Sequence, residues 1–164
     1  MSKSHPLRPF LPADIMRLQD LLAQSIEELT QDDYDEEQRL AWISGAADAQ
    51  AFAERLAKNL TLVVETDGEL LGFASLKDNK DVDLLFVHPY AAGDGVGATL
   101  LDALERLAAA RGTETMTADV SDTAHDFFES RGYVPTRRNN IPLGEVWLAN
   151  TTMTKSLKPK QDAS

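Results

Sequence analysis

Cysteine is absent from the 164 residues of this chain. Disulfide bonds, thiolate metal ligands and a cysteine nucleophile are therefore excluded. Basic residues are also scarce, because 16 Lys and Arg stand against 27 Asp and Glu and give a net charge of −11. A chain this acidic repels phosphate backbones unless it carries a local basic patch, and no such patch occurs. The sequence therefore predicts no nucleic-acid partner and leaves serine, carboxylate and bound-cofactor chemistry.

Long apolar runs are missing as well. No stretch approaches the roughly 18 apolar residues of a membrane span, and Met1 to Pro12 has no secretion-signal core of about 7–15 apolar residues. We expect no membrane partner and a cytoplasmic protein. On a prior of roughly 100–200 residues per domain, the length predicts one domain over residues 1–157, followed by a polar tail at 158–164 that is too hydrophilic to order itself.

The first third of the chain has the pattern of helices. Apolar residues recur at intervals of three and four from Ile15 to Leu29, which indicates a helix with one buried face. Asp35 opens a capping box ahead of a second helix that Gly45 ends, and Asp48 caps a third.

The rest of the chain has mostly the pattern of strands. Strand-like runs occupy Leu60–Glu65, Leu70–Leu76, Val82–Val87, Thr115–Val120, Tyr133–Arg138 and Glu145–Thr154. Asp67-Gly68 predicts a hairpin turn after the first of them, and Asn139-Asn140 could join the last two. A long helix from Val96 and a short one over Thr123–Ser130 lie between strands, and Trp147 is expected in the core. The fold class is therefore α+β: a mixed, mostly antiparallel sheet with helices on both faces.

The segment between Val87 and Ala98 is a strand end, a glycine loop and a helix start. Glycines let backbone amides turn toward one point, and a helix N-terminus adds unpaired N–H donors. A phosphate or pyrophosphate is the natural ligand of such a segment.

Two known phosphate motifs fit this loop incompletely. A P-loop needs a lysine after its last glycine, and Ala98-Thr99 cannot supply one. The dinucleotide fingerprint is met by Gly93-x-Gly95-x-x-Ala98, with Asp119 as a ribose acceptor. Against it, five residues separate Val87 from Gly93, and the chain ends in a hairpin instead of a second mononucleotide-binding half.

A third interpretation accounts for more of the chain. Leu-Phe-Val-His-Pro precedes the loop from Ala92 to Ala98, and the aromatic pair Phe127-Phe128 precedes Gly132-Tyr133. These blocks resemble the GNAT superfamily of N-acetyltransferases, whose pattern is a strand ending in Val-x-Pro, then Gln/Arg-x-x-Gly-x-Gly/Ala opening a long helix, and later an aromatic pair before Gly-Phe/Tyr. The resemblance spans roughly residues 5 to 155.

The resemblance implies a GNAT-like acyl-CoA N-acyltransferase fold and acetyl-coenzyme A (acetyl-CoA) as cosubstrate. Its pyrophosphate would bind the loop amides, and its pantetheine arm would pair with the preceding strand. The cofactor residues implied are Leu85, Phe86, Val87, Ala92, Gly93, Asp94, Gly95, Val96, Gly97, Ala98, Ser121, Phe127 and Phe128. Two positions depart from the family: Ala92 replaces its Gln/Arg, and Asp94 replaces a residue that is commonly basic.

An amine that attacks a thioester must first lose a proton, so the site needs a base. In a regular strand, Asp81 and Asp83 share a face with Leu85 and Val87, and the family often keeps its base on this strand. Asp83 is the first candidate because burial would raise its pKa. Alternatively, Asp81 belongs to a solvated turn and Asp83 binds a nearby backbone group.

The family's usual general acid, a tyrosine, would fall at Phe128, which cannot donate a proton. Tyr133 and Ser121 are substitutes; core packing for Tyr133 and helix capping for Ser121 are the alternatives. Because a thiol has a pKa of only about 8.5, a thiolate can leave without much help and the acid is dispensable.

The acceptor side would, by analogy, come from the first two helices. The acidic residues between Arg17 and Arg39 form either a solvated face or a funnel for a cationic amine; they are Asp20, Glu27, Glu28, Asp32, Asp33, Asp35, Glu36 and Glu37. Tyr34, Gln38 and Trp42 recur at intervals of four and form either a pocket wall or core.

The sequence thus predicts an acetyl-CoA-dependent N-acetyltransferase that acts on a small-molecule or protein amine by direct attack in a ternary complex. A noncatalytic acyl-CoA binding module is the alternative. No metal is expected, because no histidine has a second ligand at metal spacing. A homodimer built by the late hairpin is left open.

Overall fold

Seven strands and five helices make up residues 5–158, the part of the chain that the computed structural model describes. The strands are β1 (Leu7–Pro9), β2 (Leu60–Thr66), β3 (Glu69–Lys77), β4 (Asp81–Val87), β5 (Thr115–Ser121), β6 (Val134–Leu143) and β7 (Val146–Ser156). The helices are α1 (Ile15–Leu29), α2 (Glu36–Ser44), α3 (Ala49–Lys58), α4 (Val96–Ala110) and α5 (His125–Ser130). Except for its first residue, the predicted polar tail at 158–164 lies outside the described residues.

The strands form one sheet in the order β1-β2-β3-β4-β5-β7-β6. Neighbours run antiparallel except β4 and β5, which pair in parallel. The turn between β2 and β3 falls on Asp67-Gly68, as predicted, and both residues have the positive φ that such a turn requires, 53° and 81°. The predicted α+β class with a mixed, mostly antiparallel sheet is confirmed.

Helices cover both faces of the sheet. On one face, Leu18 and Ile26 of α1 and Leu56 of α3 pack on Phe73 of β3. On the other face, the buried side chains Leu100, Leu101 and Leu104 of α4 pack over the strands. The longest helices, α1 and α4, have 15 residues each, and no helix within residues 5–158 is long and apolar enough to cross a membrane.

The sheet opens between its two parallel strands. Only the first residues of β4 pair with β5, through Asp81 with Thr117 and Val82 with Ala118. On its other side β4 stays paired with β3 as far as Val87. The strands β4 and β5 therefore diverge beyond Val82 and leave a gap in the middle of the sheet.

A β-bulge at Asp83 corrects one prediction. The register of β3 with β4 shifts between Ser75 and Leu76, so Asp83 has no Cα partner on β3. Asp83 instead bonds to residues of the α3 segment, whereas Leu85 and Val87 pack with the α4 side of the sheet. The prediction that Asp83 shares a face with Leu85 and Val87 is therefore wrong, because strict alternation does not hold through a bulge.

The last hairpin also turns later than expected. Leu143 pairs with Val146, so the turn is at Gly144-Glu145, where Gly144 has a φ of 60°. The predicted turn residues Asn139 and Asn140 lie inside β6 and pair with β7. Trp147, expected in the core, is 55% exposed, whereas its neighbour Leu148 is buried.

Candidate active site

The gap between β4 and β5 leads into a cavity of about 880 Å³. It is bounded by α1 and α2, by the glycine loop before α4, by the facing edges of β4 and β5, by α5, and by the β6–β7 hairpin. Its walls are mostly apolar. Among the residues that line it, the acidic ones are Asp83 and Asp119, and the basic one is Arg55.

The glycine loop forms one end of the cavity. Gly93 and Gly95 both have a φ of 85°, and Gly95 is the N-cap of α4. The amide of Thr99 is the first to bond back along the helix, to the carbonyl of Gly95 at 3.0 Å. The amides of residues 96–98 thus precede the first helical bond and are donors for an anion.

The predicted loop residues reach the cavity with one exception. Ala92, Gly93, Gly95, Val96, Gly97 and Ala98 line it. Asp94 does not; its amide donates to the carbonyl of Ala91, and its own carbonyl lies 2.7 Å from Nε2 of His5. The part of the loop that is open to the cavity is therefore the helix start together with Ala92, Gly93 and Gly95.

Aromatic side chains of α5 close the cavity beside α4. A Cβ atom added to Gly97 would lie 3.4 Å from the ring of Phe127 and 3.6 Å from Val87, which are ordinary van der Waals distances, so the start of α4 packs directly beside both side chains. Phe127 and Phe128 both line the cavity, with their rings perpendicular and 5.5 Å apart. Ser121 lines it too, and its hydroxyl accepts the amide of Ala124, the residue before α5.

Asp83 lines the cavity, but both its carboxylate oxygens have partners. Arg55 donates to them at 2.7 and 3.0 Å, and Asn59 donates to one of them at 2.9 Å. Burial alone would raise the pKa of Asp83, but the bonds and charge of Arg55, with the bond from Asn59, lower it below its usual value. The expected rise in pKa is therefore wrong, and the catalytic role of Asp83 stays a prediction.

The other two catalytic candidates lie away from the cavity. Asp81 accepts a hydrogen bond from the Thr117 hydroxyl, and desolvation raises its pKa. Tyr133 is buried and donates to Glu105 of α4 at 3.0 Å; burial and the Glu105 carboxylate raise its pKa. Neither lines the cavity, so the structure does not bring the three candidates together.

Of the three residues Tyr34, Gln38 and Trp42, two line the cavity and one binds elsewhere. Tyr34 and Trp42 line the cavity with their rings 5.5 Å apart, and the Tyr34 hydroxyl donates to Ala149 of β7 at 2.7 Å and accepts the Asp122 amide at 2.8 Å. Gln38 does not line it and donates to the Trp147 carbonyl at 2.7 Å. Hydrogen bonds from Tyr34 and Gln38 therefore connect the α2 segment to β7, and Tyr34 and Trp42 form part of the cavity wall.

The acidic run between Arg17 and Arg39 stays outside the cavity. None of its eight carboxylates lines the cavity. Several serve local structure: Asp35 caps α2, Glu27 lies 3.5 Å from Arg39, and Asp33 accepts the Thr123 hydroxyl. Within residues 5–158, no group of three or more His, Asp or Glu residues could hold a metal ion.

The sequence interpretation missed six polar residues of the cavity, which are Ser25, Thr30, Arg55, Asp119, Thr123 and Asn150. Asp119 was considered only as a ribose acceptor. A signal was present in the alternation of β5, where Met116, Ala118 and Val120 are buried and the residues between them are polar.

The arrangement defines a class of protein. A helix N-terminus that can hold a phosphate group and an unpaired strand edge that can hold an extended chain open into the same cavity, whose mostly apolar wall contains two carboxylates. Such a site suits a long phosphate-bearing ligand and a second molecule that meets its end.

Comparisons with known proteins agree with this class. The acetyltransferase (GNAT) domain family matches residues 30–157. The uncharacterized N-acetyltransferase YafP of Escherichia coli (strain K12) is 26% identical over 147 residues, which are 90% of this chain and 93% of YafP. A GCN5-related N-acetyltransferase from Rhodopseudomonas palustris, also named aminotransferase, class-II, is 50% identical, with a TM-score of 0.93 over 95% of this chain and 98% of that one.

A more distant structure shares the fold alone. The PaiA N-acetyltransferase of Thermoplasma acidophilum, crystallised with coenzyme A, is 19% identical, with a TM-score of 0.78 over 94% of this chain and 99% of that one. The chain belongs to the GNAT acetyltransferase family. The predicted family and enzyme class, an acetyl-CoA-dependent N-acetyltransferase, are confirmed.

Proposed function

We propose that this enzyme moves the acetyl group of acetyl-CoA to a primary amine of a small molecule or protein by direct attack in a ternary complex. One observation carries the proposal: the phosphate donors of the glycine loop and the acceptor end lie in one continuous cavity that passes through the gap between β4 and β5.

The cosubstrate would be held mainly by backbone groups. The amides at the start of α4 and the positive end of its dipole suit the pyrophosphate. The edge of β4 beyond Val82, which faces the gap without a β5 partner, suits the pantetheine arm as an added strand. The PaiA N-acetyltransferase, which shares the fold, was crystallised with coenzyme A, and this supports coenzyme A as the kind of ligand.

Direct attack fits the chemistry of the walls. An acyl-enzyme route needs an activated nucleophile, and the chain has no cysteine. None of its three histidines lines the cavity, so Ser25 and Ser121 have no imidazole base there. The acceptor amine itself is then the nucleophile.

The alternative is a noncatalytic acyl-CoA binding module. It is favoured by Ala92, which contributes no side-chain donor to the phosphates, and by Phe128, which cannot protonate a thiolate. Its expected behaviour differs from that of an enzyme: it would bind acyl-CoA tightly and keep the thioester intact.

Turnover decides between the two. The purified chain is incubated with acetyl-CoA and, separately, with primary amines of different size and charge and with a peptide that has a free N-terminus, and released coenzyme A thiol is measured. Thiol release that depends on the amine, with the acetylated amine detected by mass spectrometry, supports the enzyme. Calorimetric binding of acetyl-CoA without thiol release on any amine supports the module.

A further inference from the structure

Asp119 lies where the sheet opens. It directly follows Ala118, the last residue of β5 that pairs with β4, and it lines the cavity. Of the two acidic residues in the cavity wall, Asp83 is engaged at both oxygens by Arg55 and Asn59. Asp119 is solvent-exposed, and no residue that the structure describes engages both of its carboxylate oxygens.

A chain of hydrogen bonds across three strands orients the Asp119 carboxylate. The Thr152 hydroxyl of β7 donates to its Oδ1 at 2.6 Å. The Asn139 amide of β6 donates to that hydroxyl and to Asn150 Oδ1, at 2.9 Å each, and Arg137 donates to Asn139 Oδ1 at 2.9 Å. Within residues 5–158, no hydrogen bond reaches Oδ2, so this oxygen remains available to a ligand.

We propose that Asp119 is the acceptor-site carboxylate: it binds the ammonium group of the incoming amine and takes its proton. The inference rests on the proposed function and names the residue that performs its first step. An ammonium group donates to an oriented carboxylate through a strong charge-assisted bond.

Both protons that the ammonium nitrogen loses have an acceptor. The ammonium gives one proton to Asp119 and becomes a neutral amine, which forms the N–C bond with the acetyl carbonyl. When the C–S bond breaks, the second proton of the nitrogen goes to the departing sulfur and yields the free thiol. Asp119 returns its proton to solvent. The missing tyrosine at Phe128 is then no obstacle, because a thiol's pKa of about 8.5 makes the thiolate a good leaving group.

The walls around Asp119 indicate the kind of amine. Much of the wall of the cavity that Asp119 lines is apolar; its apolar side chains include Leu22, Ile26, Leu29, Trp42, Leu143 and Leu148. A single available carboxylate suits one positive charge on an apolar body. A second ammonium group would be desolvated among these walls without a partner.

The charged groups near Asp119 come from several elements. Asp81 of β4 is close enough for the Asp119 charge to help raise its pKa. The Asp83–Arg55 pair lies in the wall of the same cavity, the Asp122–Arg138 pair follows the end of β5, and Arg137 reaches Asp119 through Asn139. In each of the two ion pairs one positive charge balances one negative charge. Replacing Asp119 therefore removes an uncompensated negative charge near an incoming amine.

The test is the pH dependence of an isosteric variant. We measure kcat/KM for 2-phenylethylamine, one ammonium group on an apolar body, in the wild type and in Asp119→Asn. Near pH 7 we expect a loss of about 10²-fold or more. The loss should shrink as the pH approaches the pKa of the amine, because a neutral amine needs neither anchor nor base. Asp119→Glu should recover part of the activity, and acetyl-CoA affinity measured by calorimetry should be unchanged in both variants.

Asp126→Asn is the matched control, because it removes one negative charge from an exposed position of α5 outside the cavity. It should retain wild-type kinetics.

A loss in Asp119→Asn that is the same at every pH, or no loss at all while the wild type turns over, overturns the role of Asp119. A loss with that pH dependence in Asp83→Asn and not in Asp119→Asn overturns it too. Preference for spermidine over 2-phenylethylamine contradicts the single-charge acceptor, and a wild type that binds acetyl-CoA without turnover overturns the proposed function itself.

Discussion

Asp81 and Asp83 lie two residues apart on β4, yet their pKa values shift in opposite directions. The Asp83 pKa is lowered because the bonds and charge of Arg55 and the bond from Asn59 outweigh the cost of burial. A lowered pKa adds stability that is present above the unfolded value of about 3.9 and is lost as the pH falls through the folded value.

Asp83→Asn should therefore destabilise the protein at pH 7. The ion pair is lost while shape is kept, and since the Arg55 side chain is 45% exposed, we expect a loss of about 1 kcal/mol in the free energy of unfolding. Urea unfolding measures it. The difference from wild type should shrink as the pH falls below about 5, through the unfolded pKa of about 3.9 and on through the lower pKa of the folded protein.

Asp81→Asn is the control, because the pH dependence of its stability relative to wild type should have the opposite sign. The Asp81 pKa is raised, first by desolvation, so the wild type loses stability as its carboxylate ionises with rising pH. The stability of this variant relative to wild type should therefore increase as the pH rises from about 3 through the unfolded pKa of about 3.9 and on through the higher pKa of the folded protein. The same direction of change in both variants would show that net charge, and not local environment, governs the two carboxylates.

At the scale of elements, the start of α4 is the proposed phosphate site. Ala92 is exposed and has an extended backbone, φ −60° and ψ 133°, so it accommodates an arginine side chain. Ala92→Arg should tighten coenzyme A binding about 10-fold by adding a charge-assisted bond to the phosphates. Isothermal titration calorimetry measures the change.

Ala110→Arg controls for the added charge. Ala110 is exposed at the opposite end of the same 15-residue helix, about 20 Å from its start. The dissociation constant should stay at the wild-type value in this variant. Equal tightening in both variants would indicate a general charge effect and argue against phosphates at the start of α4.

At the scale of the whole molecule, the net charge of −11 repels an anionic cosubstrate. The proposed donors are backbone amides, which carry no net charge to offset this repulsion. Raising NaCl from about 10 to about 150 mM shortens the Debye length from about 30 to about 8 Å. We therefore expect coenzyme A to bind faster and more tightly at the higher salt concentration, measured by stopped flow and calorimetry.

Dephospho-coenzyme A, which lacks one phosphate group, serves as the comparison ligand. Its affinity should depend less on salt, because fewer charges are repelled. Binding of coenzyme A that weakens with salt would instead indicate basic side chains at the phosphates.

Features that depend on near neighbours in the chain were predicted well. The caps at Asp35 and Asp48 and the turn at Asp67-Gly68 occur as expected, because a cap or a tight turn involves residues only two to four positions apart. The turn at Asn139-Asn140 was wrong. Asn139 stays extended because its side chain bonds across to β7, a contact that depends on strand register.

The sequence by itself determined the elements, the glycine loop and, through motif order, the family. Only the tertiary structure decided which partners each carboxylate of the site has. The bulge that turns Asp83 to Arg55 and the gap that exposes Asp119 both depend on how strands distant in sequence pair, since β4 meets β5 at only two residue pairs. A local sequence pattern does not show which distant strands pair. The burial and the hydrogen-bond partners of a side chain are therefore known only when the sheet is assembled.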